Sequence, residues 1–170
     1  DLGYLEPQDL GRLARDGVIA AVKYAIVRPD PAQDPYLAEL LHEVDPALVV
    51  SGIGERPAVA HWTQCGLRAF TSGSVCVAPA LSTALLAALR SGDTGEAETL
   101  RSLFIPLEDL RDAPSPMRIL HEAVRLAGLC DTGPMLPMAA NIEDPGILAS
   151  LAPVAMALRE ENDRLLARAA

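Results

Sequence analysis

Apolar residues in the first half of the chain alternate between a helical and an extended rhythm. Residues 7–15 put Leu10, Leu13 and Ala14 on one face of a helix, with Pro7 in its first turn and Gly17 after its end. Residues 18–22 are an unbroken apolar run, which predicts a strand covered on both faces. Pro29, Asp30 and Pro31 mark a loop. A stripe of Tyr36, Leu37, Leu40, Leu41 and Val44 predicts a helix over 34–44, broken by Asp45-Pro46. Residues 47–50 form a second apolar strand, ended by Ser51-Gly52-Ile53-Gly54. A helix starts near Pro57, carries Val59 and Trp62, and stops at Gly66. Residues 67–71 are a third strand, ended by Ser72-Gly73-Ser74. Strands alternating with helices imply a parallel sheet with right-handed crossovers.

The second half carries only the helical rhythm. An alanine- and leucine-rich helix runs over 79–90 and is closed by Ser91-Gly92. Asp93-Thr94-Gly95-Glu96 has the spacing of a capping box. The helix it opens repeats Ala97, Leu100, Leu103, Phe104, Leu107 and Leu110, with a kink expected at Pro106. Ser115-Pro116 and Asp144-Pro145 each pair a cap with a first-turn proline, and Gly128 ends the helix between them. The proline-rich stretch over 133–137 is a loop. The chain therefore divides into strand–helix units over 1–92 and a helical region over 93–170.

Composition narrows the partners. The formal net charge is −9 with no basic patch, which argues against nucleic acid. The apolar runs are interrupted too often by proline, glycine or charge to span a bilayer, and no signal peptide is visible. Cys65, Cys76 and Cys130 form no CxxC pair, and an odd, scattered count suits a reducing cytoplasm. His42, His61 and His121 share no metal-ligand spacing, so no metal site is expected. Asp1 opens directly into helical sequence, which suggests a chain that starts within a longer protein.

One position stands apart. Lys23 is the single lysine among 14 lysine and arginine residues. Guanidinium stays charged at working pH, whereas an ammonium can be desolvated into a nucleophile. Lysine has an ordinary pKa of about 10.4, and burial lowers it because the charged form loses hydration. Lys23 follows five apolar residues at a predicted strand end, where parallel folds collect their chemistry, alongside Ser51-Gly52 and Thr71-Ser72. Lys23 is thus either a Schiff-base amine or a solvent-facing end to its strand. Ser51-Gly52-Ile53-Gly54-Glu55 lets backbone approach a carboxylate or phosphate, or is an ordinary strand-to-helix turn. Glu55 suits a helix start for dipole reasons alone. Thr71-Ser72-Gly73-Ser74 lines a polar pocket or fits a crowded barrel top. Tyr24 and Arg28 lie close to Lys23, and His61 and His121 read as structural.

These strand ends, taken in order, resemble the dihydrodipicolinate synthase / N-acetylneuraminate lyase family. Ala21-Val22-Lys23-Tyr24-Ala25 resembles the strand-six segment that presents the Schiff-base lysine. Ser51-Gly52-Ile53-Gly54-Glu55 is similar to the loop after strand seven, and residues 66–74 to the strand-eight segment, with Pro79 starting its helix. Ser115-Pro116-Met117, the ending Ala127-Gly128-Leu129, and the loop from Pro134 to Met138 continue the likeness. The Phe70-Thr71-Ser72-Gly73 form is closer to the dehydratase and unassigned branches of the family. Cys76 stands where the family often has asparagine, and Ile53 and Gly54 where it often has polar residues. No segment matches the family's carboxylate-binding hydroxyls or its proton-shuttling tyrosine, and Tyr4 lies outside that motif.

The resemblance implies an α/β fold: about strands 6–8 of a (β/α)₈ TIM barrel over 1–92, then a C-terminal helical extension. It implies a lyase of the aldolase or synthase type, with Lys23 forming an imine with pyruvate or another 2-oxo acid. Ser51, Gly52 and Thr71 would line the substrate pocket. No cofactor is implied, because the imine withdraws the electrons. Three strands cannot close a barrel, so the missing N-terminal half is an expected partner, together with copies of the chain in a homo-oligomer. The alternatives are a sugar-acid dehydratase using the same imine, a non-catalytic barrel relative that binds an oxo acid, and a different barrel in which Lys23 is coincidental.

Overall fold

A computed structural model describes residues 5–112, 115–137 and 139–169. Tyr4 and Met138 lie outside the described residues. The chain forms two compact units, Asp1–Ser72 and Gly73–Ala170. The division precedes the 92/93 boundary expected from the sequence. Its cause is the helix Pro79–Ser91, which packs on later helices of the second unit.

The first unit contains α1 (Pro7–Arg15), β1 (Val22–Tyr24), α2 (Pro35–Glu43), β2 (Val49–Ser51) and α3 (Ala58–Thr63). β1 and β2 run parallel, with Val22 opposite Val49, Lys23 opposite Val50 and Tyr24 opposite Ser51. The predicted third strand is reduced to a parallel bridge between Ser51 and Phe70. Two backbone bonds make it: Ser51 N–H to Ala69 O at 3.0 Å, and Thr71 N–H to Ser51 O at 2.8 Å.

The first strand starts later than the apolar run predicts. The N–H groups of Val18 and Ile19 both turn back to the Leu13 carbonyl and close the end of α1, so they cannot enter a ladder. Gly17 adopts a φ of +70° to allow that reversal. Val18 is left 68% exposed. β1 is also covered on one face only. Tyr24 is buried with Leu10, Leu37, Leu40, Val44, Val49 and Leu67, whereas Lys23 and Ala25 are exposed. Each fully buried large aliphatic residue in such a cluster contributes about 1.5–3 kcal/mol. Asp34 caps α2 by accepting from Leu37 N–H at 3.1 Å. Asp45 accepts from Ala47 N–H at 2.9 Å and turns the chain into β2.

The second unit is helical: α4 (Pro79–Ser91), α5 (Thr94–Asp112), α6 (Pro116–Leu126) and α7 (Pro145–Ala169). Leu81, Leu85, Phe104, Leu107, Ile119 and Leu151 are the centre of its core. Asp93 caps α5 through Glu96 N–H at 2.9 Å, and Asp144 caps α7 through Gly146 N–H at 2.8 Å. Ser115 stands at the start of α6 in extended backbone, but its hydroxyl makes no cap bond, which leaves Pro116 to pre-set the first turn. α5 continues through Pro106, whose ring is exposed. α4 has no cap of its own. Asn162 of α7 supplies one, its Oδ1 accepting from Ala80 N–H at 2.8 Å.

Candidate active site

The parallel register decides which side chains meet. Tyr24, Ser51 and Phe70 are opposite one another and share a face. Strand alternation turns Lys23, Val50 and Ala69 to the other face, followed by Ala25, Gly52 and Thr71. Lys23 and Thr71 are indeed exposed, and Tyr24 and Ser51 buried. Lys23 is the middle residue of β1 rather than its end, and its face is open rather than covered.

Its side chain lies across the neighbouring strand end. A Cβ on Gly52 would stand 2.8 Å from Lys23 Cγ and 2.9 Å from Lys23 Cε, and 2.8 Å from the Tyr24 carbonyl oxygen. Only glycine fits beneath that stem. Gly52 N–H donates to the same Tyr24 oxygen at 2.6 Å, which extends the pairing past β2. Lys23 also borders a hollow of about 540 Å³ that runs along β1 and the segment after it, between Leu10, Ile26, Arg28 and Tyr36.

Beneath the sheet lies a polar network. Asp34 accepts from Tyr24 OH and from both forks of Arg28, Nε at 2.9 Å and Nη2 at 3.2 Å. Burial alone would raise the Asp34 pKa. The bonds from Arg28, Tyr24 and Leu37 N–H outweigh it and hold the carboxyl below its ordinary value. Tyr24 is pushed far above the usual phenol range, first by burial and then by its bond to Asp34 and that residue's charge. A phenol so held is a poor proton shuttle, although it is adjacent to Lys23 in the chain. His61 is buried, with Nδ1 2.8 Å from Ser51 Oγ and its ring edge-on to Tyr24. Burial pushes its pKa down, against the opposing charge of Asp34, which favours the neutral imidazole.

Of the four residues singled out from the sequence, the fold brings Lys23 and Gly52 into contact and sets Thr71 on their face. Ser51 does not face Lys23. The period-two alternation turns its hydroxyl to His61, and its own N–H and C=O are used by the Phe70 segment. Two carboxylates carry more than the sequence suggested. Asp34 is legible as a cap from Asp34-Pro35, but nothing local predicts its bonds to Tyr24 and Arg28. Glu55 reads as a helix-start residue, yet it is fully buried and accepts from Ser72 Oγ at 2.6 Å. Among the described residues, no group of three or more His, Cys, Asp or Glu side chains could hold a metal ion. No described helix is long and apolar enough to cross a membrane.

No family model matches the chain. The chain is 40% identical over 83 residues to the probable 5-dehydro-4-deoxyglucarate dehydratase 2 of Streptomyces coelicolor, a match covering 47% of this chain and 24% of the relative. Two solved structures share the fold. The dihydrodipicolinate synthase of Oceanobacillus iheyensis superposes with a TM-score of 0.74 at 25% identity, over 89% of this chain and 50% of its own. That of Bacillus clausii gives 0.72 at 23% identity, over 86% and 49%. The chain thus spans about half the length of these synthases. Two parallel strands with their helices match that half as part of a (β/α)₈ barrel. Over the parts that these matches cover, the chain is thus similar in fold to two dihydrodipicolinate synthases and in sequence to a probable 5-dehydro-4-deoxyglucarate dehydratase.

Proposed function

We propose that the protein is a Schiff-base-forming lyase acting on a 2-oxo acid, with Lys23 as the covalent residue. The observation that carries this reading is the Lys23 stem lying over Gly52 beside a hollow, in a chain similar in fold to those synthases. The neutral amine attacks the keto carbon, the carbinolamine takes up a proton from solvent and loses water, and a protonated imine forms. That imine takes up the electron pair released at the adjacent carbon, either by proton loss or by carbon–carbon cleavage. No cofactor is required for this step. We place the oxo acid on the open face, against Gly52 and Thr71, neither of which borders the hollow beside β1, and Ser51 supports β2 from the other side.

Lys23→Arg keeps the charge and removes the nucleophile. In the full-length protein this substitution is expected to abolish turnover of 2-oxo acids and inactivation by borohydride with pyruvate. Retained turnover by Lys23→Arg would refute the proposal.

A second reading, dehydration of a sugar acid, is favoured by the name of the 40%-identical relative. The resulting enamine would expel a hydroxyl one carbon further on instead of breaking a carbon–carbon bond. Product analysis on 2-oxo sugar acids separates the two, since a pair of shorter fragments counts against dehydration. We further propose a cytoplasmic homo-oligomer, in which the sheet edge left by β1 is covered by further strands of the barrel. A monomer in sedimentation, or the protein in a secreted fraction, would contradict it.

A further inference from the structure

We infer that Glu55 is a positioning residue, whose buried carboxylate, held by Ser72, fixes the backbone floor under the Lys23 side chain. This rests on the reading of Lys23 as the imine-forming residue. The floor is Gly52, and the loop that contains it is pinned on both sides. Towards β1, Gly52 N–H is bonded to Tyr24 O at 2.6 Å. Towards the third segment, Gly54 N–H is bonded to Thr71 O at 3.1 Å, and Gly54 takes a φ of +96° to make the turn.

One residue later, Glu55 is 0% exposed and accepts from Ser72 Oγ at 2.6 Å. Burying a carboxylate is costly unless hydrogen bonds compensate it, so the side chain must be held by its neighbours. A surface carboxylate at the first turn of a helix would serve the dipole without that cost. The Glu55–Ser72 bond closes the loop after β2 onto the segment after Phe70, beyond the last backbone pairing. It therefore fixes where Gly52 sits relative to Thr71, and with it the path of the lysine stem. Glu55 does not touch Lys23 in this arrangement and acts through the loop.

The test uses the full-length protein and single-turnover borohydride trapping over a range of pyruvate concentrations. Glu55→Gln and Ser72→Ala are each expected to lower the maximal trapping rate about tenfold, since small misplacements of a reacting group are costly in rate. The half-saturating pyruvate concentration should stay at the wild-type value, because neither residue contacts the oxo acid. The double variant should be no slower than the slower single one, as expected for two residues acting as a unit. Ser72→Thr keeps the hydroxyl and should restore the wild-type rate. If Glu55→Gln does not fold, Ser72→Ala and Ser72→Thr decide alone. Wild-type trapping rates in Ser72→Ala, multiplicative losses, or a change confined to half-saturation would each overturn the inference while Lys23 still traps. Absence of any adduct at Lys23 in the wild type would overturn it together with the reading on which it rests.

Discussion

Adding one methyl group at Gly52 probes the site most narrowly. The new Cβ would stand 2.8 Å from the Tyr24 carbonyl oxygen and from Lys23 Cγ, and 2.9 Å from Lys23 Cε. The lysine stem can swing aside at little cost. The carbonyl cannot, because it is backbone and accepts the Gly52 N–H bond at 2.6 Å. Forcing a methyl group into packed space costs about 1–3 kcal/mol. Gly52→Ala should therefore lower stability by that amount in urea unfolding. The stem is displaced as well, and a shift of order 1 Å can reduce rate about 10²-fold. Imine trapping with pyruvate should fall on that scale, with the adduct still confined to Lys23. Gly52→Ala with wild-type stability and trapping rate would refute the close packing of Lys23 on Gly52.

Other predictions concern stability. The Asp34 pKa lies below its ordinary value of 3.8 in the folded chain, so its stabilisation is complete above that value and is lost as pH falls through the folded one. Asp34→Asn should flatten the acid limb of the stability curve, and an unchanged limb would count against the Tyr24–Asp34–Arg28 network. Asn162→Ala removes the cap that α7 lends to α4 and should cost about 0.5–2 kcal/mol in urea unfolding, with no loss meaning that α4 does not need it. Gly95 lies in the first turn of α5 with its nearest foreign atom 3.6 Å from an added Cβ. Gly95→Ala should raise stability by about 0.4–1 kcal/mol, and a loss would show that the space is not open.

Helix starts and stops were legible because their chemistry is local. Asp93 and Asp144-Pro145 each cap a helix as their spacing predicts, Asp34 proves to be a cap rather than the first residue of its helix, and Ser115 fails only in that its hydroxyl makes no bond. Strands were less legible because pairing is not local. The apolar run over 18–22 resembles a buried strand, but its first two N–H groups are taken by the end of α1. The segment over 67–71 pairs only at Phe70, where Ser51 supplies both bonds. In the site, Lys23 was marked by its rarity and Gly52 by its turn. The face on which each side chain falls depends on register, and register turned Ser51 away. Glu55 and Ser72 are seventeen residues apart and meet only through the parallel pairing of their segments. No spacing rule in a single sequence carries such a contact.

The proposed chemistry requires that the ε-nitrogen of Lys23 form a covalent imine with a 2-oxo acid. Peptide mass mapping of the full-length protein after borohydride reduction with pyruvate tests it directly. A reduced pyruvyl group is expected on the peptide containing Lys23. An unmodified Lys23 in protein that still turns over a 2-oxo acid would contradict it.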